Sequence, residues 1–363
     1  MELFSSSYAE ARERFLTKAQ ALGAAVEHHS VQGDSSGDEE LFIDSAYLGE
    51  PAAEKIFVIL SGTHGLEGLA GSAAQLSLLQ GNPTLPEGLG ILLIHAVNPY
   101  GFAKHSRANE DNIDLNRNFG SFSGHPTEFT EVELAVRKAL APADFSLEQI
   151  ETVAVGVAEL FATHEPQAVL NAITAGQYIS EEGLNFGGRE AARSNIVVRD
   201  VIKRHAVNAK KVVLLDWHTG LGEFAEPFFI SFNEVESTSY SVSKSWWGDE
   251  VFDDNSAFGA GGARPDYRGV LVAGIGDELP EDAEVVRVVI EFGTYDGPRV
   301  IGALVADQWL RKQSGVRSTS GDTQELRDWM REQFIPADPS WRDAVISISE
   351  DIHQKTLAGL AGW

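Results

Sequence analysis

Several polar residues directly follow short apolar segments of this sequence and have the spacing of metal ligands. In the stretch LSGTHGLEGLAG, residues 60–71, His64 and Glu67 lie three residues apart, just after the apolar run KIFVIL. A tight turn that opens a helix can bring an imidazole nitrogen and a carboxylate oxygen at this spacing to one cation. A glutamate capping the helix beside a hydrogen-bonded histidine explains the same spacing. A second HxxE, at residues 125–128, has no strand before it, and we interpret it as a chance match.

A third ligand is available in LLDWHTGLG, where His218 ends a predicted strand. Alternation along the strand places Asp216 on the same side, where its carboxylate can orient the imidazole. Two histidines and one glutamate with an open fourth position are typical of a catalytic zinc site. The alternative is an isolated loop histidine, and the glycine-rich turn after it favours the site.

Two further groups of residues point to reaction chemistry. The polar stretch at residues 98–120 contains Arg107, Asn116 and Arg117. Arginine binds carboxylates with a planar fork, so this stretch suggests an anionic group on the substrate or an oxyanion to be stabilised, unless its charges form ordinary surface pairs. Glu291 ends an almost wholly apolar strand, where a carboxylate is costly unless it is paired or functional. Near a metal ion it would act as a general base, and the alternative is a helix cap or an arginine partner.

The elements that must position these residues alternate between apolar strands and helices. This alternation predicts an α/β fold with a mixed, mostly parallel sheet between helices, in which ligands bind outside the carboxyl ends of the strands. His64, His218 and Glu291 would then meet at one edge. We expect a single domain over residues 1–363, with a long loop excursion at 224–282 and a helical C-terminal tail. Strands are predicted at 39–49, 55–60, 90–99, 210–218 and 283–293, and helices at 5–22, 68–80, 150–170, 194–209 and 321–361.

Composition excludes several classes of protein. The 54 acidic and 28 basic residues give a net charge of −26, which argues against nucleic acid or an anionic membrane as a partner. The chain has no cysteine, so disulfides, thiolate metal sites and a cysteine nucleophile are excluded. The N-terminal segment lacks the pattern of a signal peptide, and no apolar run has the length of a membrane span. We therefore expect a cytoplasmic protein. Its oligomeric state is left open by the sequence.

The order of these motifs resembles the zinc carboxypeptidase superfamily and, in detail, a little-characterised bacterial branch of carboxypeptidase-like proteins. The matches extend from about residue 55 to about residue 300. They are NPYGF at 98–102, DLNRNF at 114–119, AGQY at 175–178 with GG at 187–188, HTGLG at 218–222 and EFGT at 291–294.

The resemblance implies a carboxypeptidase-like sheet of about eight strands. It also implies one zinc ion per chain, with His64, Glu67 and His218 as its ligands. Glu291 would be the general base that activates metal-bound water.

For the substrate, the resemblance implies that Arg107 polarises the scissile carbonyl and stabilises the oxyanion. Asn116 and Arg117 would hold a substrate carboxylate. Tyr267 is a candidate for the mobile tyrosine of such enzymes, and its rivals are Tyr178, Tyr240 and Tyr295.

The function expected from these residues is zinc-dependent hydrolysis of an amide bond next to a free carboxylate, as in a metallocarboxypeptidase acting on small peptides. The motifs also resemble deacylases such as aspartoacylase and succinylglutamate desuccinylase, which makes an acylated amino acid the alternative substrate. Two further alternatives are a non-catalytic binder with the same fold and an esterase using Ser61 or Ser72. Neither serine lies in a G-x-S-x-G elbow.

Overall fold

The fold is built on one seven-stranded sheet. The computed structural model describes residues 3–31, 40–141, 149–248, 258, 262–313 and 321–363. The strand order in the sheet is β1-β2-β4-β3-β5-β7-β6. The strands are β1 (Ala25–Ser30), β2 (Phe42–Gly49), β3 (Lys55–Ser61), β4 (Leu89–His95), β5 (Lys211–Gly220), β6 (Pro227–Ser231) and β7 (Glu284–Gly293).

Nearly every residue of the central strands β3, β4 and β5 is buried, since helices cover both faces of this sheet. The second helix packs against the first helix, the last helix and β3, and the last helix also contacts β3. The helices are α1 (Tyr8–Ala21), α2 (Gly68–Gln80), α3 (Pro99–Lys104), α4 (Glu131–Ala139), α5 (Gln149–Thr163), α6 (Pro166–Thr174), α7 (Arg193–His205), α8 (Thr238–Trp247), α9 (Leu271–Gly274), α10 (Gly297–Gln313), α11 (Gly321–Phe334) and α12 (Pro339–Gly362).

The sheet is mixed, as the sequence predicts. The four strands β4, β3, β5 and β7 are parallel, whereas β1 and β2 on one side of them and β6 on the other pair antiparallel. The described residues form seven strands rather than about eight. The α/β prediction is therefore confirmed, and the polar edge strand β1, with the sequence AVEHHS, is an element that apolar patterning did not predict.

The chain order reverses direction across the sheet at β3, because β4 lies on one side of it and β5 on the other. Such a switch point leaves a crevice outside the carboxyl ends of the strands. A short 3-10 helix, Gly65–Glu67, and then α2 follow β3 at this edge. Gly65 permits the turn, since a side chain there would overlap the backbone of Gly101 at the start of α3.

The stretch at 224–282 contains regular structure where the sequence predicts a loop excursion. It includes β6, α8 and α9, while residues 249–257 and 259–261 of the predicted excursion lie outside the described residues. The predicted helical tail is present as α11 and α12, which are separated at the proline-rich segment 335–338. Among the helices of the described ranges, none combines the length and the apolar character needed to cross a membrane.

Candidate metal centre

The three predicted ligands converge at the carboxyl edge of the sheet. His64 and Glu67 come from the turn after β3, and His218 comes from β5, beside it in the sheet. Within the described residues, these three form the one cluster whose potential ligand atoms all lie within 4.8 Å of one another. His218 Nδ1 is 3.1 Å from His64 Nδ1 and 2.9 Å from Glu67 Oε2, and His64 Nδ1 is 2.8 Å from Glu67 Oε1.

Neighbouring groups hold two of these ligands in orientation. His218 Nε2 lies 2.8 Å from Asp216 Oδ2, and the hydroxyl of Thr63 donates to the other oxygen of Asp216 at 2.9 Å. Asp216 therefore fixes the proton of His218 on Nε2 and leaves the Nδ1 lone pair for a cation. The backbone N–H of Thr219 donates to Glu67 Oε2 at 3.1 Å.

The charges of this cluster stabilise one another in a buried environment. Burial favours the neutral form of Glu67, but the imidazoles of His64 and His218 outweigh it and lower the pKa of Glu67 below its usual range. Burial opposes a proton on His218, but Asp216 and Glu67 outweigh it and raise the pKa of that imidazole well above its usual value. A cation at the point where Nδ1 and carboxylate oxygens converge would take the place of these protons, so the donor set fits a divalent metal ion.

Glu291 lies next to this cluster on the neighbouring strand. It is the Cα partner of His218 in the parallel β5–β7 ladder, so both side chains project from the same sheet face. Its Oε2 accepts from the backbone N–H of Leu221 at 3.4 Å. Burial and then the charge of Glu67 raise the pKa of Glu291 to about 7. A carboxyl group that titrates near neutrality is suited to accept and return a proton.

Arg107 approaches the cluster from the loop after α3. Its Nη1 is 3.2 Å from His64 Nδ1 and 3.7 Å from Glu67 Oε1. Asp114 binds the same guanidinium through Oδ2, at 3.1 Å from Nε and 3.0 Å from Nη2, and its Oδ1 lies 3.3 Å from His64 Nε2. Asp114 thus lies between the arginine and the predicted metal ligand His64. Sequence reasoning placed Asp114 in a polar stretch without giving it this role.

Asn116 and Arg117 lie in a second short 3-10 helix, Leu115–Arg117. The carbonyl of Asn116 accepts from Arg117 Nη1, while its side-chain Oδ1 accepts from the backbone N–H of Leu271 at 2.9 Å. The Arg117 guanidinium also donates to the carbonyl of Thr174 through Nε and Nη2. Both side chains line the same cavity as His64 and Glu67. Burial lowers the pKa of Arg117, which is only 4 % exposed.

Of the four candidate tyrosines, Tyr267 and Tyr295 line this cavity. The Arg117 guanidinium lies over the ring of Tyr267, 5.0 Å from its centre. The hydroxyl of Tyr295 donates to Glu332, and that of Tyr178 donates to the carbonyl of Arg117. Burial raises the pKa of Tyr267 to about 12, so its hydroxyl keeps its proton at neutral pH.

The cavity has a volume of about 790 Å³, which is within the range of small-molecule sites. One of its walls continues from Glu291 along the edge of the sheet. In the antiparallel β6–β7 pair, Phe228 faces Glu291 and Ile230 faces Val289. The ring of Phe258 contacts that of Phe228, with 5.2 Å between centres. We call Phe228, Ile230, Phe258 and Val289 the apolar wall. Sequence reasoning missed it because most of it lies within the predicted loop excursion.

The serines of the esterase alternative and the second HxxE motif lie outside the cavity. The hydroxyl of Ser61 donates to Gln75, and that of Ser72 contacts His95, and neither serine lines the cavity. His125 of the second HxxE stacks on the ring of Tyr178, with 3.6 Å between ring centres.

The chain belongs to the family described as "Protein of unknown function (DUF2817)", which matches residues 4–348. A comparison with curated proteins gives no match.

Several solved structures are similar to this chain at low identity. Carboxypeptidase A from Helicoverpa armigera is 14% identical over 90% of this chain and 73% of its own, with a TM-score of 0.45. A metallo-carboxypeptidase from Pseudomonas aeruginosa is 14% identical over 94% of this chain and 68% of its own, with a TM-score of 0.42. A candidate succinylglutamate desuccinylase/aspartoacylase family protein from Shewanella amazonensis is 14% identical over 80% of this chain and 72% of its own, with a TM-score of 0.38. These are the two groups of proteins that the sequence motifs resemble.

Proposed function

We propose that this protein is a zinc-dependent hydrolase that cleaves an amide bond next to a free carboxylate, as a metallocarboxypeptidase does. The observation that carries the proposal is the position of Glu291 beside His218, in one cavity with His64 and Glu67. Two imidazoles and one carboxylate are ligands that suit zinc, and a set of three leaves a coordination position open for catalysis. We infer one zinc ion per chain, because the described residues contain one such cluster.

Each group of the cavity has a separate task in this proposal. His64, Glu67 and His218 would hold the zinc ion, which would supply Lewis acidity to polarise the carbonyl and acidify water. Glu291 accepts a proton from the attacking water and delivers it to the leaving amine. Arg107 donates hydrogen bonds to the oxygen that becomes negative.

The other end of the substrate is bound by the second arginine. The Arg117 guanidinium has five N–H donors and uses three in its bonds to the carbonyls of Asn116 and Thr174. Two donors therefore stay available for a carboxylate on the substrate, and the side-chain amide of Asn116 adds another. Tyr267 lies beside this position and would close over the bound group. The apolar wall next to Glu291 would contact the side chain of the carboxylate-bearing residue.

A small panel of substrates tests the reaction. Purified protein, loaded with zinc, would be incubated with dipeptides and with N-acyl amino acids whose carboxyl-terminal residue is phenylalanine, leucine, lysine or aspartate. Release of the free amino acid is the readout. Hydrolysis of the peptides supports a carboxypeptidase, while hydrolysis of the N-acyl amino acids alone assigns the deacylase reaction.

Two variants separate the metal site from the base. His218→Ala is expected to lose bound zinc, measured by elemental mass spectrometry. Glu291→Gln is expected to retain zinc and to lose about 10³-fold or more in kcat. Full activity in Glu291→Gln would refute the mechanism. A wild-type protein that binds zinc and the panel compounds without cleaving any of them would instead be a non-catalytic binder.

A further inference from the structure

A buried carboxylate outside the cavity holds the backbone of Arg107. Asp307 lies in the middle of α10 and is only 5 % exposed, among the buried apolar residues Ala303, Ala306 and Leu310. Its Oδ2 accepts from the backbone N–H of Arg107 at 2.8 Å. The same oxygen accepts from the hydroxyl of Ser106 at 3.1 Å. The carboxylate therefore connects the long helix directly to the residue that carries the guanidinium.

The carbonyl of Arg107 is held from the opposite direction. It accepts from the side-chain amide of Asn98 at 3.0 Å and from the backbone N–H of Gly65 at 3.3 Å. Gly65 belongs to the turn that carries His64 and Glu67. Both polar groups of the Arg107 backbone are thus fixed, one by α10 and one by the turn with the metal ligands.

Two other side chains of α10 support the same loop. Arg311 Nη1 donates to the hydroxyl of Ser106 at 2.7 Å, and Nη2 donates to the carbonyl of Asn109. Gln308 Nε2 donates to the side chain of Asn112 at 2.9 Å. Asp307 differs from these two because it binds the backbone of Arg107 itself. One turn earlier on the helix, Leu304 lines the cavity, whereas Asp307 does not.

We propose that Asp307 is a positioning residue for Arg107. A buried carboxylate is costly, and here it is satisfied by a backbone N–H and a hydroxyl of the loop that it holds. By fixing the Arg107 backbone against α10, it directs the guanidinium at the position between His64 and Glu67. This inference rests on the proposed role of Arg107 in stabilising the oxyanion. A donor displaced by even about 1 Å stabilises a transition state much less, while substrate binding is little affected.

A double-mutant cycle in the zinc-loaded protein tests whether Asp307 acts through Arg107. Asp307→Ala is expected to lower kcat by at least about tenfold, with KM changed by less than about threefold and zinc content unchanged. In the Arg107→Ala background, Asp307→Ala should lower kcat no further. Asp307→Asn keeps an acceptor oxygen and should restore kcat to within about threefold of wild type. Additive losses in the cycle would overturn the proposal.

Hydrogen exchange gives a readout that does not depend on turnover. Asp307→Ala removes the acceptor of the Arg107 N–H, so exchange in the segment 105–112 should rise by at least about tenfold, while β3 stays protected. Asp44→Asn is a matched control, since Asp44 is a fully buried carboxylate that binds Arg12 far along the chain from this loop. The control should lower the unfolding temperature and leave both kcat and exchange at 105–112 unchanged.

Different results would refute the proposed hydrolase function and the positioning role of Asp307. If wild type cleaves no substrate, the proposed hydrolase function fails, and the exchange experiment still tests the contact. Unchanged exchange at 105–112 in Asp307→Ala would refute the positioning role even in an active enzyme. An equal loss of kcat in Asp307→Ala and in Asp44→Asn would mean that the effect is one of stability alone.

Discussion

His353 should make the stability of this protein fall steeply in mild acid. It lies on α12 and is 1 % exposed, with its ring against Phe57 of β3 and Trp217 of β5 at 6.1 and 5.5 Å between centres. Neither ring nitrogen has a hydrogen-bond partner. Burial lowers the pKa of His353 to about 3. The folded protein therefore holds this imidazole in its neutral form.

The magnitude follows from the difference between the folded and unfolded states. An unfolded histidine titrates near pH 6.5, so below that value the unfolded chain binds a proton that the folded chain refuses. Above about pH 6.5 the titration of His353 costs no stability. Below that value it lowers the free energy of unfolding by about 1.4 kcal/mol per pH unit, down to about pH 3. Between about pH 6.5 and about pH 5 the loss is about 2 kcal/mol.

His353→Leu removes this titration and keeps an apolar side chain of similar size. At about pH 7.5 we expect the variant to be as stable as wild type or more stable, because an unpaired buried polar group costs about 1–3 kcal/mol. At about pH 5 its advantage should be larger by about 2 kcal/mol. Urea unfolding at both pH values measures the difference, with His164→Leu outside the core as the control. An advantage for His353→Leu that is the same at both pH values would refute the reasoning.

Three further predictions concern the cavity. Gly176 has a φ of +101°, and a Cβ there would lie 2.5 Å from the Arg117 side chain. Gly176→Ala should therefore raise KM for carboxylate substrates at least about tenfold with little change in kcat. An unchanged KM would contradict the role of Arg117. Ile230→Asp places a charge in the apolar wall and should raise the ratio of kcat/KM for lysine substrates to that for phenylalanine substrates by at least about tenfold. An unaltered ratio would mean that the apolar wall does not take part in substrate recognition. The kcat/KM should rise with pH, and the midpoint of this rise should lie at or below about 7, since Glu291 must be deprotonated and a bound cation lowers its pKa. A midpoint far above this value would exclude Glu291 as the base.

The central strands could be predicted from the sequence because their environment is uniform. The runs IFVIL at 56–60 and VVLL at 212–215 are apolar throughout, and both occupy buried parallel strands, β3 and β5. The two outermost strands, β1 and β6, could not be predicted in this way. AVEHHS forms β1 only because β2 supplies hydrogen-bond partners along its whole length, and PFFIS forms β6 by pairing with β7. For such strands the tertiary partner, rather than the local pattern, decides the structure.

The residues of the candidate site likewise fall into those that the local sequence predicts and those that depend on tertiary contacts. His64, Glu67, His218 and Glu291 could be proposed from their positions after apolar runs, and the structure brings them together. Asp114 and Asp307 could not, since their importance depends on contacts that only the folded chain makes. Asp307 in particular lies 200 residues from Arg107 along the chain, within α10.

The separation of the candidate metal ligands along the chain has a consequence for biosynthesis. His64 and Glu67 leave the ribosome long before His218, which lies 154 residues after His64. Two ligands on a flexible nascent segment bind a cation weakly, because the third ligand and its orienting carboxylate, Asp216, are still missing. Selection of a metal ion would therefore belong to a late stage, when β5 docks beside β3. From that point a bound ion would link distant parts of the chain and resist their separation.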